Sequence, residues 1–100
     1  MRKEIIDKGL KKTLDVIDRM MGHRDIDDVK ELVKITDELY LEVNCFRVDT
    51  HDPFFDFYGE AISFEIYAIK NNESVDCVTI NTFTTESFKN DVGYLLNCYV

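Results

Sequence analysis

Between residues 3 and 21 apolar side chains return every three or four positions: Ile6, Leu10, Leu14, Ile17 and Met21, joined by Ile5, Val16 and Met20. On a helical wheel they cover half the cylinder. Lys8, Lys11, Lys12, Asp15 and Arg19 take the other half, so the spacing predicts a helix largely enclosed by the fold. Gly22 offers a C-terminal stop, and Gly9 is the one weak position inside the pattern. A second helix is expected over residues 25–40. Asp25 serves as its N-cap, and Asp27 and Asp28 lie in a first turn where the helix dipole favours negative charge. Its apolar stripe is Val29, Leu32, Val33, Thr36, Leu39 and Tyr40, and its polar face carries Asp27, Glu31, Lys34 and Glu38. Leu41 would fall on that charged face, so the helix is expected to end near Tyr40.

From there the period changes to two. Leu41, Val43 and Cys45 alternate with Glu42, Asn44 and Phe46, as in a half-buried strand. The stretch VDTHDPFFDFYGE, residues 48–60, reads as an irregular connection. AISFEIYAIK then places Ile62, Phe64, Ile66 and Ala68 on one face, opposite Ser63, Glu65 and Tyr67. NNES has turn chemistry and VDCVTINTFT alternates again, so residues 61–84 are expected to form a hairpin. Thr84 or Thr85 can cap a final helix with Phe88, Val92, Leu95, Leu96 and Tyr99 as its stripe, and residues 94–100 also suit a terminal strand. The expected fold is a single α+β domain over residues 1–100 in the order ααβββα. Two N-terminal helices and a C-terminal helix cover one face of a three-stranded antiparallel meander.

An apolar content of 45% is enough to build a core and argues against disorder despite the net charge of −8. The charge is segregated. Residues 1–24 hold seven Lys/Arg against four Asp/Glu, a net of +3, and the remainder holds five against sixteen, a net of −11. An acidic field of this kind repels nucleic acid and membrane surfaces and favours basic partners, or it serves solubility alone. Cys45, Cys77 and Cys98 show no CxxC spacing, and the N-terminus lacks an apolar signal segment. Free thiols in a reducing cytoplasm are expected.

Candidate chemistry concentrates in the connection. Asp49, His51, Asp52 and Asp56 offer hard oxygens and an imidazole suited to Mg²⁺ or Mn²⁺ in a small metal-dependent hydrolase. The segment matches neither an EF-hand nor HExxH, and loops gather Asp because Asp makes turns. If the segment were helical, Asp52, Asp56 and Glu60 would share a face beside Phe54, Phe55 and Phe57, a setting that could raise one carboxyl pKa for acid–base work. The cysteines fall in strand or helix patterns and read as small buried apolar residues. There is no nucleophile elbow, P-loop or zinc spacing. Arg2, Lys3, Lys8, Lys11 and Lys12 form a basic cluster interrupted by Glu4 and Asp7, which reads as a solvated helix face. No enzyme, cofactor or metal is expected on these grounds, nor direct nucleic-acid or membrane contact.

A binding surface is the remaining reading. Phe54, Phe55, Phe57 and Tyr58 fall within five positions, too close for one helix or strand to turn all of them inward, and clustered aromatics suit interface anchors. Asp49, Asp52, Asp56 and Glu60 surround them, and Asp27, Glu31 and Glu38 extend the acidic surface along the second helix. Carboxylates at i and i+4 on that helix would stand roughly 5–6 Å apart. Phosphates on a DNA strand recur on a comparable scale, about 3.4 Å of axis per charge. In size and charge the whole chain resembles the small acidic inhibitors of phages and mobile elements, such as anti-CRISPR and anti-restriction DNA mimics, although no motif carries the likeness. It implies a non-enzymatic inhibitor of a nucleic-acid-binding enzyme, acting as a monomer or homodimer on a basic protein partner. An antitoxin or immunity-type partner of a basic toxin is the nearest alternative.

Overall fold

The computed structural model describes residues 1–22, 29–52, 57–81 and 84–100, with side chains for all of these except 29 and 47–62. The elements run α1 (Arg2–Gly22), β1 (Val29–Lys34), β2 (Leu39–Asp52), β3 (Phe57–Lys70), β4 (Glu73–Ile80) and α2 (Thr85–Tyr99). The strands form one antiparallel sheet in the order β1-β2-β3-β4. Both helices pack on the same face, α1 over β1 and β2 and α2 over β3 and β4. The order is therefore αββββα, not ααβββα.

The correction falls on residues 25–40. Val29, Leu32 and Val33 suit a helical stripe, but Val29, Glu31 and Val33 also suit a strand. The strand forms, with Val33 only 5% exposed and Leu32 56% exposed on the opposite face. Residues 35–38 make the turn that a helix would have run through. Thr36 Oγ1 accepts the backbone N–H of Glu38 at 3.3 Å and of Leu39 at 3.0 Å. Ile35 and Thr36 both donate backbone N–H bonds to the Leu39 carbonyl. A threonine hydroxyl that bonds the backbone two and three residues ahead gives the chain an alternative to the helix. The proposed cap Asp25, together with Asp27 and Asp28, lies outside the described residues.

The residue-48 to residue-60 connection is also corrected. Backbone pairing carries β2 and β3 through it, from Leu39↔Lys70 to Asp52↔Phe57. Only residues 53–56 intervene, and they lie outside the described residues. β1 reaches β2 no further than Cys45, and β4 reaches β3 no further than Phe64. Among the described residues, the pairs from Phe46↔Ser63 to Asp52↔Phe57 therefore form a two-stranded ribbon that extends past the sheet. It gives the molecule a long axis of 51 Å against 24 and 23 Å.

Other elements follow the sequence closely. Asn71 and Asn72, at φ 54° and 66°, make the tight β3–β4 turn, a left-handed conformation that asparagine tolerates better than most residues. Phe64, Ile66 and Ala68 are fully buried beside Leu41 and Val43. In α2, Thr84 caps the helix: its Oγ1 accepts the Ser87 N–H at 3.0 Å, and Ser87 Oγ accepts the Thr84 N–H at 3.0 Å. The chain remains helical through Tyr99, so residues 94–100 are not a terminal strand. Phe88, Val92, Leu95 and Leu96 join Ile17, Met20 and the inner strand residues in one core. Gly9 marks a close approach to α1. A Cβ there would lie 3.1 Å from Ile35 Cδ1 and 3.2 Å from Leu96 Cδ1. Arg2 donates to the carbonyls of Asn97 and Val100, which puts a cation at the negative end of α2, whose own last turn has none.

Candidate functional site

Two helices cover only one face of a four-stranded sheet. Among the described residues no element packs on the other. The alternation that buries Val33, Leu41, Phe64 and Ile66 turns Leu32, Tyr40, Phe46, Tyr67 and Ile69 outward. Leu32, Tyr40, Ile69 and Asn72 line a shallow depression of about 400 Å³ near the turn end of the sheet. The polar groups of this open face are largely matched with one another. Lys30 Nζ bridges Glu42 Oε1 at 2.9 Å, and Asn44 Nδ2 donates to Glu42 Oε2 at 3.4 Å. The Lys30 hydrogen bond holds the Glu42 carboxyl below the usual carboxylate range. Tyr67 donates its hydroxyl proton to Glu65 Oε2 at 2.9 Å, and that carboxylate pushes the phenol up to about 12. Cys77 lies on this face, but desolvation and the nearby Glu65 carboxylate raise its thiol, which keeps it protonated.

The predicted site residues divide between opposite ends of the sheet. Glu31 lies on β1 on the helix-facing side and bridges Arg19 of α1 at 3.0 Å. Glu38 lies in the β1–β2 turn, where Asp37, Glu38, Tyr40, Asn71 and Asn72 line a small cleft. These two acids are not one helical turn apart on a shared face, so the i, i+4 spacing argument does not apply to them. At the far end, backbone register sets Asp49 opposite Glu60, His51 opposite Tyr58 and Asp52 opposite Phe57. From Glu38 to Asp49 is roughly 35 Å along a strand. Asp27, Phe54, Phe55 and Asp56 lie outside the described residues. The ribbon thus brings together Asp49, Asp52, Phe57, Tyr58 and Glu60 in sequence register and separates them from Glu31 and Glu38.

The open face itself was missed at the sequence level, because Leu32 and Tyr40 were assigned to a helical stripe. The cysteine expectation also needs revision. Cys45 is buried, whereas Cys77 and Cys98 are exposed, and none of the three is in a disulfide. At the β4 edge, Asp76 Oδ2 accepts from Tyr99 at 3.0 Å and Tyr94 at 3.2 Å, and its Oδ1 accepts the Cys77 N–H at 2.8 Å. These bonds, the backbone one foremost, lower the Asp76 pKa and tie α2 to the sheet edge. Among the described residues, no helix is long and apolar enough to cross a membrane. No protein-family model, curated protein or solved structure matches the chain.

Proposed function

We propose that the chain is a non-enzymatic, acidic protein-binding domain whose partner is a basic protein, in its specific form an inhibitor that occupies the groove of a nucleic-acid-binding enzyme. The observation that carries this reading is the register of the ribbon. Asp49 pairs directly with Glu60, and like charges in direct cross-strand register destabilise a hairpin. Residues 47–62 contain four carboxylates and a single basic residue, Arg47, so the counter-charge is not supplied locally. A basic partner supplies it. Complementary charge speeds association and sets specificity, while apolar and aromatic contacts provide lasting affinity. The open face around Leu32, Tyr40 and Ile69 supplies apolar area for that.

The test combines capture with competition. Tagged protein is used to retrieve partners from lysate of a candidate host at low and high salt, and the retained protein is challenged with duplex DNA. The reading expects one basic nucleic-acid-binding enzyme, released by salt and by DNA, and no longer retained by the double variant D49K/E60K. Separately, E60K is expected to stabilise the isolated domain by about 0.2–1 kcal/mol by relieving the like-charge pair. A partner retained through high salt and through D49K/E60K would replace mimicry with steric blocking by the open face.

A further inference from the structure

On the open face of the sheet, the Glu65 carboxylate pairs with no cation among the described residues. Glu65 lies at the middle of β3, half-buried, opposite Asn44 of β2 and Thr79 of β4. Its Oε2 accepts the Tyr67 hydroxyl at 2.9 Å, and its Oε1 has no hydrogen-bond partner among the described residues. The cations of the same face are committed elsewhere, Lys30 to Glu42 at 2.9 Å and Lys34 to Asp37 at 3.1 Å. The Glu65 charge is accordingly felt by its neighbours, raising both the Tyr67 phenol and the Cys77 thiol. Four residues further along β3, at roughly 13 Å, Ile69 joins Leu32 and Tyr40 in the shallow depression of about 400 Å³. An apolar recess and an unmatched acid thus share one open surface at a fixed separation.

We propose that this face docks an amphipathic helix of the partner, with apolar side chains in the depression and an arginine on Glu65. The inference rests on the reading of the partner as a basic protein, and adds where and in what form that partner is held. A segment laid on the face of a sheet, away from its edges, receives no ladder hydrogen bonds and must satisfy its own backbone, which a helix does. The opposite face shows the same solution, with α1 and α2 packed across it. At about 1.5 Å per residue, the separation of recess and acid spans eight or nine helical residues. Apolar anchors at i and i+4 and a basic residue at i+8 then fall on one side of the docked helix. Docking excludes water from Glu65, and a carboxylate buried without a partner is costly. That argues against a purely apolar occupant. It argues equally against a second copy of this chain, whose open face brings another Glu65 and lysines that are already paired. Arginine suits the position better than lysine, because its planar guanidinium bonds a carboxylate and stacks on a tyrosine ring such as that of Tyr67.

The probe is a synthetic peptide of about five helical turns that repeats leucine at i and i+4 and arginine at i+8 along one side. Its control has the same composition with leucines and arginines spread around the helix. Each is titrated into the full chain, followed by amide NMR, at about 0.15 M salt, where the Debye length of about 8 Å screens distant charges. Saturable shifts at Leu32, Tyr40, Glu65, Tyr67 and Ile69 are expected with the amphipathic peptide only. E65Q keeps an acceptor for Tyr67 and is expected to weaken binding about tenfold, the scale of one charge-assisted hydrogen bond. L32T is expected to weaken it about three- to tenfold, and E86Q, on the first turn of α2, to leave it unchanged. D49K/E60K is also expected to bind the peptide as the parent does. Binding lost in D49K/E60K but kept in E65Q and L32T would overturn docking on this face and leave the basic-partner reading standing. Equal binding of the two peptides, or shifts that never saturate, would likewise overturn it, while capture from lysate tests the partner reading separately. Thermal unfolding of E65Q and L32T verifies beforehand that both fold.

Discussion

Adjacent substitutions at Leu32 and Val33 separate the strand from the helix that residues 25–40 could have formed. In a helix both would face the core, and the larger Leu32 would be the costlier to lose. In the sheet, Val33 is 5% exposed and Leu32 is 56% exposed, on opposite faces of β1. Threonine is β-branched like Val33, so strand propensity is kept at position 33 and is not lowered at position 32. Val33→Thr exchanges a buried methyl for a hydroxyl in an apolar layer. The lost transfer free energy and the desolvated hydroxyl together cost about 2 kcal/mol. Leu32→Thr removes apolar area of which more than half already faces water, and costs about 0.5 kcal/mol. For a domain of this size that difference separates the melting temperatures by roughly 6–12 °C. Urea unfolding of both variants provides the free energies, with an unchanged m-value as the check that only stability has moved. If Leu32→Thr costs as much as Val33→Thr or more, β1 is not the strand described here and the open face loses its central apolar residue.

Thr84→Ala removes the acceptor for the Ser87 N–H and is expected to cost about 1 kcal/mol in urea unfolding, with Thr84→Ser close to neutral. Tyr67 has a folded pKa of about 12 against an ordinary 10.0, so the unfolded chain loses this proton first. The stability it contributes is therefore complete below about pH 10 and declines as pH rises toward 12. Tyr67→Phe is expected to flatten the fall in stability over that window, measured by chemical unfolding at a series of pH values. An unchanged slope would mean that the Glu65 contact does not persist in solution.

How much of this was legible depended on whether one physical cause dominated each segment. The β3–β4 hairpin was legible because two asparagines between alternating strands leave few alternatives, and both adopt positive φ. α2 was legible because Phe88, Val92, Leu95 and Leu96 recur at helical spacing behind a hydroxyl cap, and all four are buried. VKELVK was ambiguous: Val29, Leu32 and Val33 fit period 3.6, and Val29, Glu31 and Val33 fit period 2. The decision came from Thr36 in the following turn and from the space left beside β2, and only the first of these is a local signal. The ribbon was illegible for a different reason. Strand alternation is imposed by one buried face, and past the last partners of β1 and β4 no third strand pairs with the ribbon among the described residues. Asp49, Asp52, Pro53 and Gly59 then read as loop residues although backbone pairing continues through Phe57.

The same division organises the charge. On the body of the sheet, four carboxylates have partners within the chain: Glu31 with Arg19, Glu42 with Lys30, Asp37 with Lys34, and Asp76 with two tyrosine hydroxyls. Acidity kept for solubility alone would be spread among mixed charges. Here Glu31, Asp37, Glu42 and Asp76 are matched locally, Glu38, Glu73 and Asp91 show no such partner among the described residues, and the ribbon sequence sets four carboxylates against Arg47 alone. Exposed salt bridges of the first kind are worth little to stability and so leave the fold largely insensitive to salt. Unmatched charge on a projecting ribbon acts at a distance, and its effect should fall as ionic strength shortens the Debye length. Salt-dependent association on a salt-independent fold is therefore what the proposed partner reading predicts. Salt dependence of the fold itself would instead mean that the ribbon acids serve the domain and not a partner.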